Sequence, residues 1–542
     1  MSLAVIAGSI GVWFTAQPLF SRSILAMTWA LTILAVGGSR FGWRQVRRRL
    51  WKKMNGDANG QSKRILVYGA GHSGSSFVRH LETSYDHSYI VCGYVDDNRA
   101  LKNMYVGNHK VVGTGDDLPR LVDAYDVDGV ILAAPSASGD ALREMRDRVT
   151  ATGAEVRTLP RLLETVGGEV SSADVRGIRY EDLLGRDMTN VDLDLDPNYV
   201  EGRTVLVTGA GGSIGSEICR QLCLYKPERL VLLGRGENRI HRILRKLNSE
   251  WPDTECIPVI CNFTNADHVE RVFEEHRPEV VFHAGAHKHV YLMEAHPAEA
   301  VRNNVVGTGI VARAADRFGV KRFVAISTDK AVEPCNAMGA SKRLCEILIR
   351  KINEQSQTKF MAVRFGNVIG SSGSVLTIFQ QQAASGQSLT VTHREATRFF
   401  MTVEEAAFLV LHSGALGDGG DIFVLEMGEP VCIYDMAREF LELNGRDPDE
   451  PGAIEITSLS PGEKVHESLC SAWEELEPTS SGRINRVRPN GDIELQYTFD
   501  ELMARAADCV GDREGAAKLL DEAMQEPSPA RAPVVLEATG GE

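Results

Sequence analysis

Positive charge is in short supply in this chain. Lys and Arg total 59 against 73 Asp and Glu, a formal net charge of −14. A chain built to hold nucleic acid carries the opposite balance, so that class of partner is excluded. Paired cysteines are also missing. Ten are scattered along 542 residues. The closest spacings, Cys219/Cys223 and Cys256/Cys261, have no matching second pair of the kind a thiolate metal site uses. They read as reduced thiols of a cytosolic setting.

No uncharged apolar run reaches the roughly 20 residues of a bilayer-spanning helix. Two come close. Residues 3–20 and 24–39 are uncharged and apolar, and Ser21-Arg22-Ser23 separates them. Arg40, Arg44, Arg47, Arg48, Arg49, Lys52 and Lys53 follow. Such a cluster marks the cytoplasmic flank of a membrane segment and attracts anionic headgroups. A signal peptide would carry its basic residues on the other side of the apolar run. Residues 1–53 therefore read as a transmembrane helical segment, with a buried core helix as the competing reading.

What is present beyond residue 53 is ordinary globular chain, 43% hydrophobic and 24% charged overall, long enough for two to four domains. A polar linker, 54–62, opens it. Residues 64–68 form a predicted strand that runs into Gly69-Ala70-Gly71-His72-Ser73-Gly74, a G-x-G-x-x-G turn. Glycine at such a turn lets the backbone approach a pyrophosphate over a helix N-terminus. A second predicted strand, 89–95, ends in Asp96-Asp97, near the distance expected of a ribose-binding carboxylate. Residues 63–165 thus read as a Rossmann-like nucleotide-binding unit. No catalytic constellation accompanies it, so a degenerate fold serving regulation or assembly is the alternative.

An acidic connector leads to a second glycine-rich turn. Predicted strand 203–207 runs into Thr208-Gly209-Ala210-Gly211-Gly212-Ser213-Ile214-Gly215, followed by an apolar helix. Gly209, Gly212 and Gly215 fit the turn, the phosphate approach and the helix-packing positions, in the strand–turn–helix context the motif requires. The next strand ends in Gly234-Arg235-Gly236-Glu237-Asn238. Arg235 favours a 2′-phosphate and Glu237 a free 2′-hydroxyl, which leaves NADP and NAD both open. Asn262 and Phe263 follow the third strand as a predicted adenine edge. The small residues Ala284, Gly285 and Ala286 follow the fourth, where the chain passes close to a cofactor. His283, His287 and His289 alternate there. No carboxylate or cysteine joins them at ligand spacing, so no metal is expected, and Lys288 and His289 read as nucleotide-sugar contacts.

The apolar run 322–326 is a predicted parallel strand with Ser327-Thr328-Asp329-Lys330 at its carboxyl end, where open α/β sheets bind ligands. Met338-Gly339-Ala340-Ser341-Lys342 opens the next helix. A solvated turn is the plain alternative for either segment.

Together, residues 208–215, 234–238, 283–290, 327–332, 338–342, Arg-Phe-Gly-Asn-Val at 364–368, Thr-Arg-Phe-Phe-Met-Thr at 397–402 and Pro-Gly-Glu-Lys at 461–464 resemble one family. It is the membrane-associated nucleotide-sugar 4,6-dehydratases of bacterial capsule and O-antigen biosynthesis, within the extended short-chain dehydrogenase/reductases. The resemblance implies an α/β protein with two Rossmann-like, doubly wound parallel-sheet domains after the membrane segment. The catalytic domain spans 195–470, and residues 525–542 read as a disordered tail. It implies NAD or NADP, tightly bound and regenerated at each turnover, with a UDP-sugar as substrate and UDP-N-acetylglucosamine as the expected one. It also implies a homo-oligomer at the bacterial inner membrane with its catalytic domains in the cytoplasm.

The implied reaction moves hydride from C4 of the hexose, removes the C5 proton, expels the C6 hydroxyl and returns hydride to C6. The resemblance assigns substrate O4 to Thr328, the acid to Asp329, the base to Lys330 and the cation near the nicotinamide ribose to Lys342. A basic Lys330 must be partly neutral, which desolvation and the nearby Lys342 would favour. Asn367 and the turn 370–373 are expected at the uridine diphosphate, with Arg398 gripping it bidentately. Met338 stands where most of the superfamily has a tyrosine. Methionine there marks the long-form subfamily, but a thioether carries no proton, so the O4 base is open among Thr328, Asp329 and water. A nucleotide-sugar epimerase is the rival enzyme reading. A catalytically silent membrane regulator is the rival outside enzymes.

Overall fold

The computed structural model describes residues 62–83, 88–134, 137, 139–159, 175–177, 199–371, 373–489 and 497–525. The membrane segment expected at 1–53 and the tail expected at 525–542 lie outside the described residues, apart from Gln525. Among the described residues no helix is long and apolar enough to cross a membrane. The chain divides into two compact units, residues up to 178 and residues from 179 on, with 136–140 counted in the second.

The first unit is built on β1 (Lys63–Tyr68), β2 (Tyr89–Val95), β3 (Tyr105–Val106), β4 (His109–Gly113), β5 (Gly129–Leu132), β6 (Glu155–Thr158) and β7 (Arg176–Gly177). They lie in the order β3-β4-β2-β1-β5-β6-β7, with β4 to β6 parallel and an antiparallel strand at each edge. The expected glycine-rich turn joins β1 to the helix His72–Thr83. Ile65, Val67, Phe77, Leu81, Tyr94 and Ile131 form its core.

The second unit carries a nine-stranded sheet. Its parallel part is β10 (Glu255–Ile260), β9 (Arg229–Gly234), β8 (Thr204–Thr208), β11 (Val280–His283), β12 (Arg322–Ile326), β13 (Lys359–Arg364) and then Asp421–Leu425. This is the doubly wound dinucleotide-binding order, extended by one strand. Strands buried on both faces need apolar residues at every position, which is why Thr204–Thr208 and Val280–His283 are buried throughout. Alternate side chains feed two cores. Leu206, Val231, Val281, Phe323 and Phe360 face one, while Val205, Leu230, Phe282, Val324 and Val363 face the other.

The catalytic domain expected to end at 470 runs further. Ile484–Pro489 pairs antiparallel with Asp421–Leu425 in the same sheet. Phe499, Leu502, Met503, Leu519 and Leu520, from helices Phe499–Asp508 and Arg513–Met524, complete the first core. The sequence reads as helical over 499–509 and 516–524, and the fold brings the apolar faces of both helices into the core of the sheet. Segments 367–402 and 431–456 form a smaller lobe. There Asn367–Ile369 pairs with Phe400–Thr402, Leu389–Val391 with Ile454–Ile456, and Thr397–Arg398 with Val431–Cys432. Leu376, Phe379, Phe400, Met436 and Phe440 fill its core.

Candidate active site

The cofactor end is set by the turn after β8. Gly209 has φ +66°, and a Cβ on Gly215 would lie 2.3 Å from Gly209 O, so both positions require glycine. At Gly212 a Cβ would meet only Gly209 O, at 3.1 Å, which leaves a cradle open to an incoming group. Gly212 is the N-cap of helix Ser213–Leu222 and brings no side-chain cap to the first-turn N–H groups. A helix N-terminus opened in this way suits a pyrophosphate. Ser213 and Ile214 are half-buried in that first turn, and Arg235 is exposed at the end of β9.

Phe263 does not form an edge. It is 9% exposed, and its ring lies directly beneath Gly285 and Gly307, either of which would clash with it if given a Cβ. Phe263 is therefore the floor under Ala284-Gly285-Ala286, while Asn262 caps the following turn by accepting from the Thr264 N–H at 3.2 Å. His283 is a core residue bonded to Thr208 (2.8 Å) and Thr308 (3.0 Å). Burial, with help from the Lys342 charge, pushes its pKa down to about 3, so the ring is neutral. Among the described residues no group of three or more His, Cys, Asp or Glu is placed to hold a metal.

Asn304 was not legible in the sequence. It lies in a π-helical stretch, Val301–Val306, of the kind that frequents functional sites. Its fully buried side chain accepts from His287 N–H (2.8 Å) and donates to His287 O (3.0 Å) and Ser341 Oγ (2.9 Å). It thus locks the loop carrying Lys288 and His289 to the helix Ala337–Asn353, which carries Lys342. Lys288 reaches Ser371 Oγ at 3.2 Å, and His289 packs against Gly373, so these expected sugar-nucleotide contacts converge with the turn 370–373.

The centre lies at the carboxyl end of β12. Thr328 Oγ1 donates to Asp329 Oδ1 at 2.9 Å. Lys330 Nζ donates to Asp329 Oδ1 (3.1 Å) and Asn367 Oδ1 (3.0 Å) and stands 3.6 Å from Glu467 Oε1. Asp329 is fully buried, and the Glu467 side chain is 4% exposed. Asp329 Oδ2 and Glu467 Oε2 are both buried without a hydrogen-bond partner. The expectation of a neutral Lys330 is corrected here. Burial opposes its charge, but the Asp329 and Glu467 carboxylates outweigh that and raise its pKa, so it is an ammonium. The sequence shows Asp329 and Lys342 as neighbours of Lys330; Glu467 arrives through the fold.

Glu467 ends a pinned loop. Gly462 O accepts from Asn336 Nδ2 (2.9 Å), Lys464 Nζ reaches Val332 O (3.1 Å), and Thr397 Oγ1 meets His466 Nδ1 (2.9 Å). Arg398 belongs to this pin. Its Nη1 donates to Thr397 O and Val465 O, and its Nη2 to Glu463 at 2.8 Å. Both terminal nitrogens of Arg398 thus hold the loop, which leaves its Nε–H and second Nη2–H for the bidentate diphosphate grip expected of it.

Gly339 fixes how closely the helix approaches. A Cβ there would lie 2.1 Å from Lys330 O. Gly339→Ala must push the helix from the 329–331 turn and is expected to cost ~1–3 kcal/mol in stability. Chemical denaturation checks the stability, and a matching fall in turnover is expected from the displaced Lys330. Met338, beside it, is 3% exposed and packed in the first core, while Lys342, 6% exposed, lies on the same helix. In the first unit the expected ribose carboxylates are occupied by protein. Asp96 accepts from Ala70 N–H at 2.8 Å, and Asp97 accepts from Tyr68 Oη (2.7 Å) and Gly115 N–H (2.9 Å).

The second unit is therefore an extended Rossmann-type domain of the short-chain dehydrogenase/reductase kind, with an ammonium–carboxylate centre past its fifth parallel strand. The chain belongs to the polysaccharide biosynthesis protein family, whose model matches residues 205–489. A CoA-binding domain model matches residues 2–160. The capsular polysaccharide biosynthesis protein CapD of Staphylococcus aureus is 43% identical over 82% of this chain and 74% of its own. A UDP-glucose 4-epimerase of Rickettsia bellii is 31% identical over 55% of this chain and 87% of its own. A solved dTDP-glucose 4,6-dehydratase from Streptomyces venezuelae, with NAD bound, is 19% identical over 58% of this chain and 99% of its own, with a TM-score of 0.46.

Proposed function

We propose that the second unit is a nicotinamide-dependent nucleotide-sugar 4,6-dehydratase that converts UDP-N-acetylglucosamine to its 4-keto-6-deoxy product for surface polysaccharide synthesis. One observation carries this reading. Two buried carboxylates flank the Lys330 ammonium, and each keeps one oxygen, Asp329 Oδ2 and Glu467 Oε2, without a donor. Buried acceptors left in this state call for donors from a ligand, and sugar hydroxyls are such donors. A dehydration across C5–C6 requires an acid and a base on neighbouring atoms, which this cluster provides.

The chain's own residues suit the rest of the reaction. The open cradle at Gly212 and the first turn of Ser213–Leu222 fit a dinucleotide pyrophosphate, with Ala284 to Ala286 beside it and Arg235 at the ribose. A nicotinamide held there supplies the hydride acceptor at C4 and the donor at C6. Thr328 orients the 4-hydroxyl. Lys330 exchanges the C5 proton once an acceptor relieves it of its own. Asp329 faces the leaving 6-hydroxyl. Lys288, His289 and Ser371 converge where the sugar nucleotide's polar groups would lie. The segment 1–53 is proposed to anchor the enzyme at the inner membrane, with both described units in the cytoplasm.

Epimerisation at C4 is the second reading, favoured by the epimerase relative. It needs no exchange at C5 and leaves the two carboxylates beside Lys330 without a task. Incubating the full chain with UDP-N-acetylglucosamine and NAD or NADP separates the two. Loss of one water in the mass spectrum is expected. An unchanged mass with a new stereoisomer would establish the epimerase instead.

A further inference from the structure

Lys330 raises a question of proton balance. To take a proton from C5 it must first lose one, yet it rests as an ammonium between carboxylates. Solvent is one destination for that proton, and a neighbouring group is the other. Asp329 Oδ1 already accepts from both Thr328 and Lys330, and its other oxygen, Oδ2, is the one that faces the leaving 6-hydroxyl in the dehydratase reading, so Asp329 is committed to that step. Asn367 presents an amide oxygen to Lys330, which does not take up a proton near neutral pH. Glu467 is different. Its Oε1 stands 3.6 Å from Nζ, and its Oε2 is buried with no donor.

We propose that Glu467 is a positioning residue of the reaction centre, which holds Lys330 in place and takes its proton as the sugar binds. This rests on the dehydratase reading above. The bookkeeping is a transfer within the site. The Nζ–H bond breaks and leaves its electron pair on nitrogen, while an O–H bond forms on the Glu467 carboxylate. The neutral amine then takes the C5 proton. After C6 has received its hydride, C5 takes a proton back from Nζ, and Glu467 returns its proton to the amine. The 4-hydroxyl proton passes through Thr328 to Asp329, which gives it to the departing 6-hydroxyl so that water leaves, and no oxidant or outside acid enters.

The surroundings favour this direction. A sugar packed on Lys330 removes the last water from a side chain only 17% exposed, which disfavours the separated charges of ammonium and carboxylate relative to neutral amine and acid. The charged and titratable groups facing the pair are few. Asp329 stands on the same turn, and the Arg398 guanidinium acts on Lys330 from the lobe. The Cys335 thiol lies within electrostatic reach of both Glu467 and Lys464. The loop from Pro461 to Glu467 is tied at Gly462, Lys464, Val465 and His466, so the carboxylate is delivered by a fixed backbone. Such rigidity is what a proton relay over one contact requires.

The test is the pH profile of single-turnover water loss in the full chain, for wild type, Glu467→Gln and Glu467→Asp. With the relay internal, the wild-type rate is flat from pH 6.5 to 8.5. Glu467→Gln must send the proton to solvent. Its rate is expected to fall at least about tenfold at pH 7 and to climb by about tenfold per pH unit below the Lys330 pKa. Glu467→Asp keeps a carboxylate on the same loop and should retain the flat profile at a lower plateau. A Glu467→Gln profile parallel to wild type overturns the proposal, because a purely structural glutamate lowers the rate without changing its slope. A sloping wild-type profile also overturns it. If Glu467→Gln fails to fold, a sloping Glu467→Asp profile overturns the proposal and a flat one supports it. Absence of water loss in wild type itself refutes the dehydratase reading, an outcome distinct from all of these.

Discussion

Lys330→Met is expected to abolish turnover, by about 10²–10⁴-fold or more, while cofactor affinity changes by no more than about twofold. The two effects separate because the glycine cradle lies on β8 and its helix, whereas Lys330 lies past β12. Methionine keeps the stem and removes the ammonium that holds Asp329, Asn367 and Glu467. It also leaves two buried carboxylates facing one another uncompensated. Breaking a buried pair in this way costs roughly 3–5 kcal/mol, so a loss of activity alone would be ambiguous. Lys330→Arg resolves this. A guanidinium restores the positive charge and much of the hydrogen bonding, yet it does not deprotonate in proteins. Lys330→Arg should therefore regain most of the lost thermal stability and remain inactive. Recovery of turnover in the arginine variant would remove Lys330 from the proton path and leave it a structural cation.

The legible part of this site is the contiguous part. Thr328, Asp329 and Lys330 are adjacent at the end of one apolar run, and strand geometry alone brings them to the ligand-binding edge. The glycine turn is equally local, since its spacing reports a backbone constraint met within eight residues. Glu467 is another matter. Pro461 to Lys464 reads as a motif, but nothing local indicates that its loop folds back across the 329–336 segment. The neutral reading of Lys330 underweighted the adjacent Asp329, the stronger of the two carboxylates that keep it charged, and Glu467 adds to that from a distance in sequence. The loop-holding contacts of Arg398 were hidden for a related reason. A lone arginine near a ligand lobe suggests phosphate, yet its partners are carbonyls and Glu463, which only the fold assembles. Phe263 suggested an adenine edge because it follows a strand. The two glycines above it, Gly285 and Gly307, are the signal that a ring lies beneath. Met338 is read most simply as core. It fills the first turn of a buried helix and packs in the first core.

Arg364→Met is expected to destabilise the second unit by roughly 3–5 kcal/mol, enough to unfold a marginal domain. Arg364 is 1% exposed and lies at the end of β13. Its Nε and Nη2 donate to Glu346 at 2.8 and 2.7 Å, and its Nη1 and Nη2 donate to Glu474 at 2.8 and 2.9 Å. Ser327 Oγ adds a 2.6 Å bond to Glu346. The cluster joins the strand that presents Thr328 to Lys330, the helix that bears Lys342 and the segment that follows Glu467. Methionine fills much of the volume but strands two buried carboxylates, and that desolvated charge is the main cost. Combining Arg364→Met with Glu346→Gln and Glu474→Gln should therefore recover part of the loss. Urea midpoints for the single and triple variants check this, and an Arg364→Met midpoint equal to wild type would show that the network is dispensable. The same cluster predicts a pH response. Burial opposes ionisation of Glu474, but Arg364 prevails and holds its carboxyl below the usual glutamate range. A group with its folded pKa depressed stabilises the fold above its unfolded value and loses that contribution as pH falls through the folded one. Wild-type stability should accordingly drop on acidification below the normal glutamate pKa, and the triple variant should drop less over that window. Catalytic geometry should fail in the same window, because the segment that delivers Glu467 is tied down through Glu474.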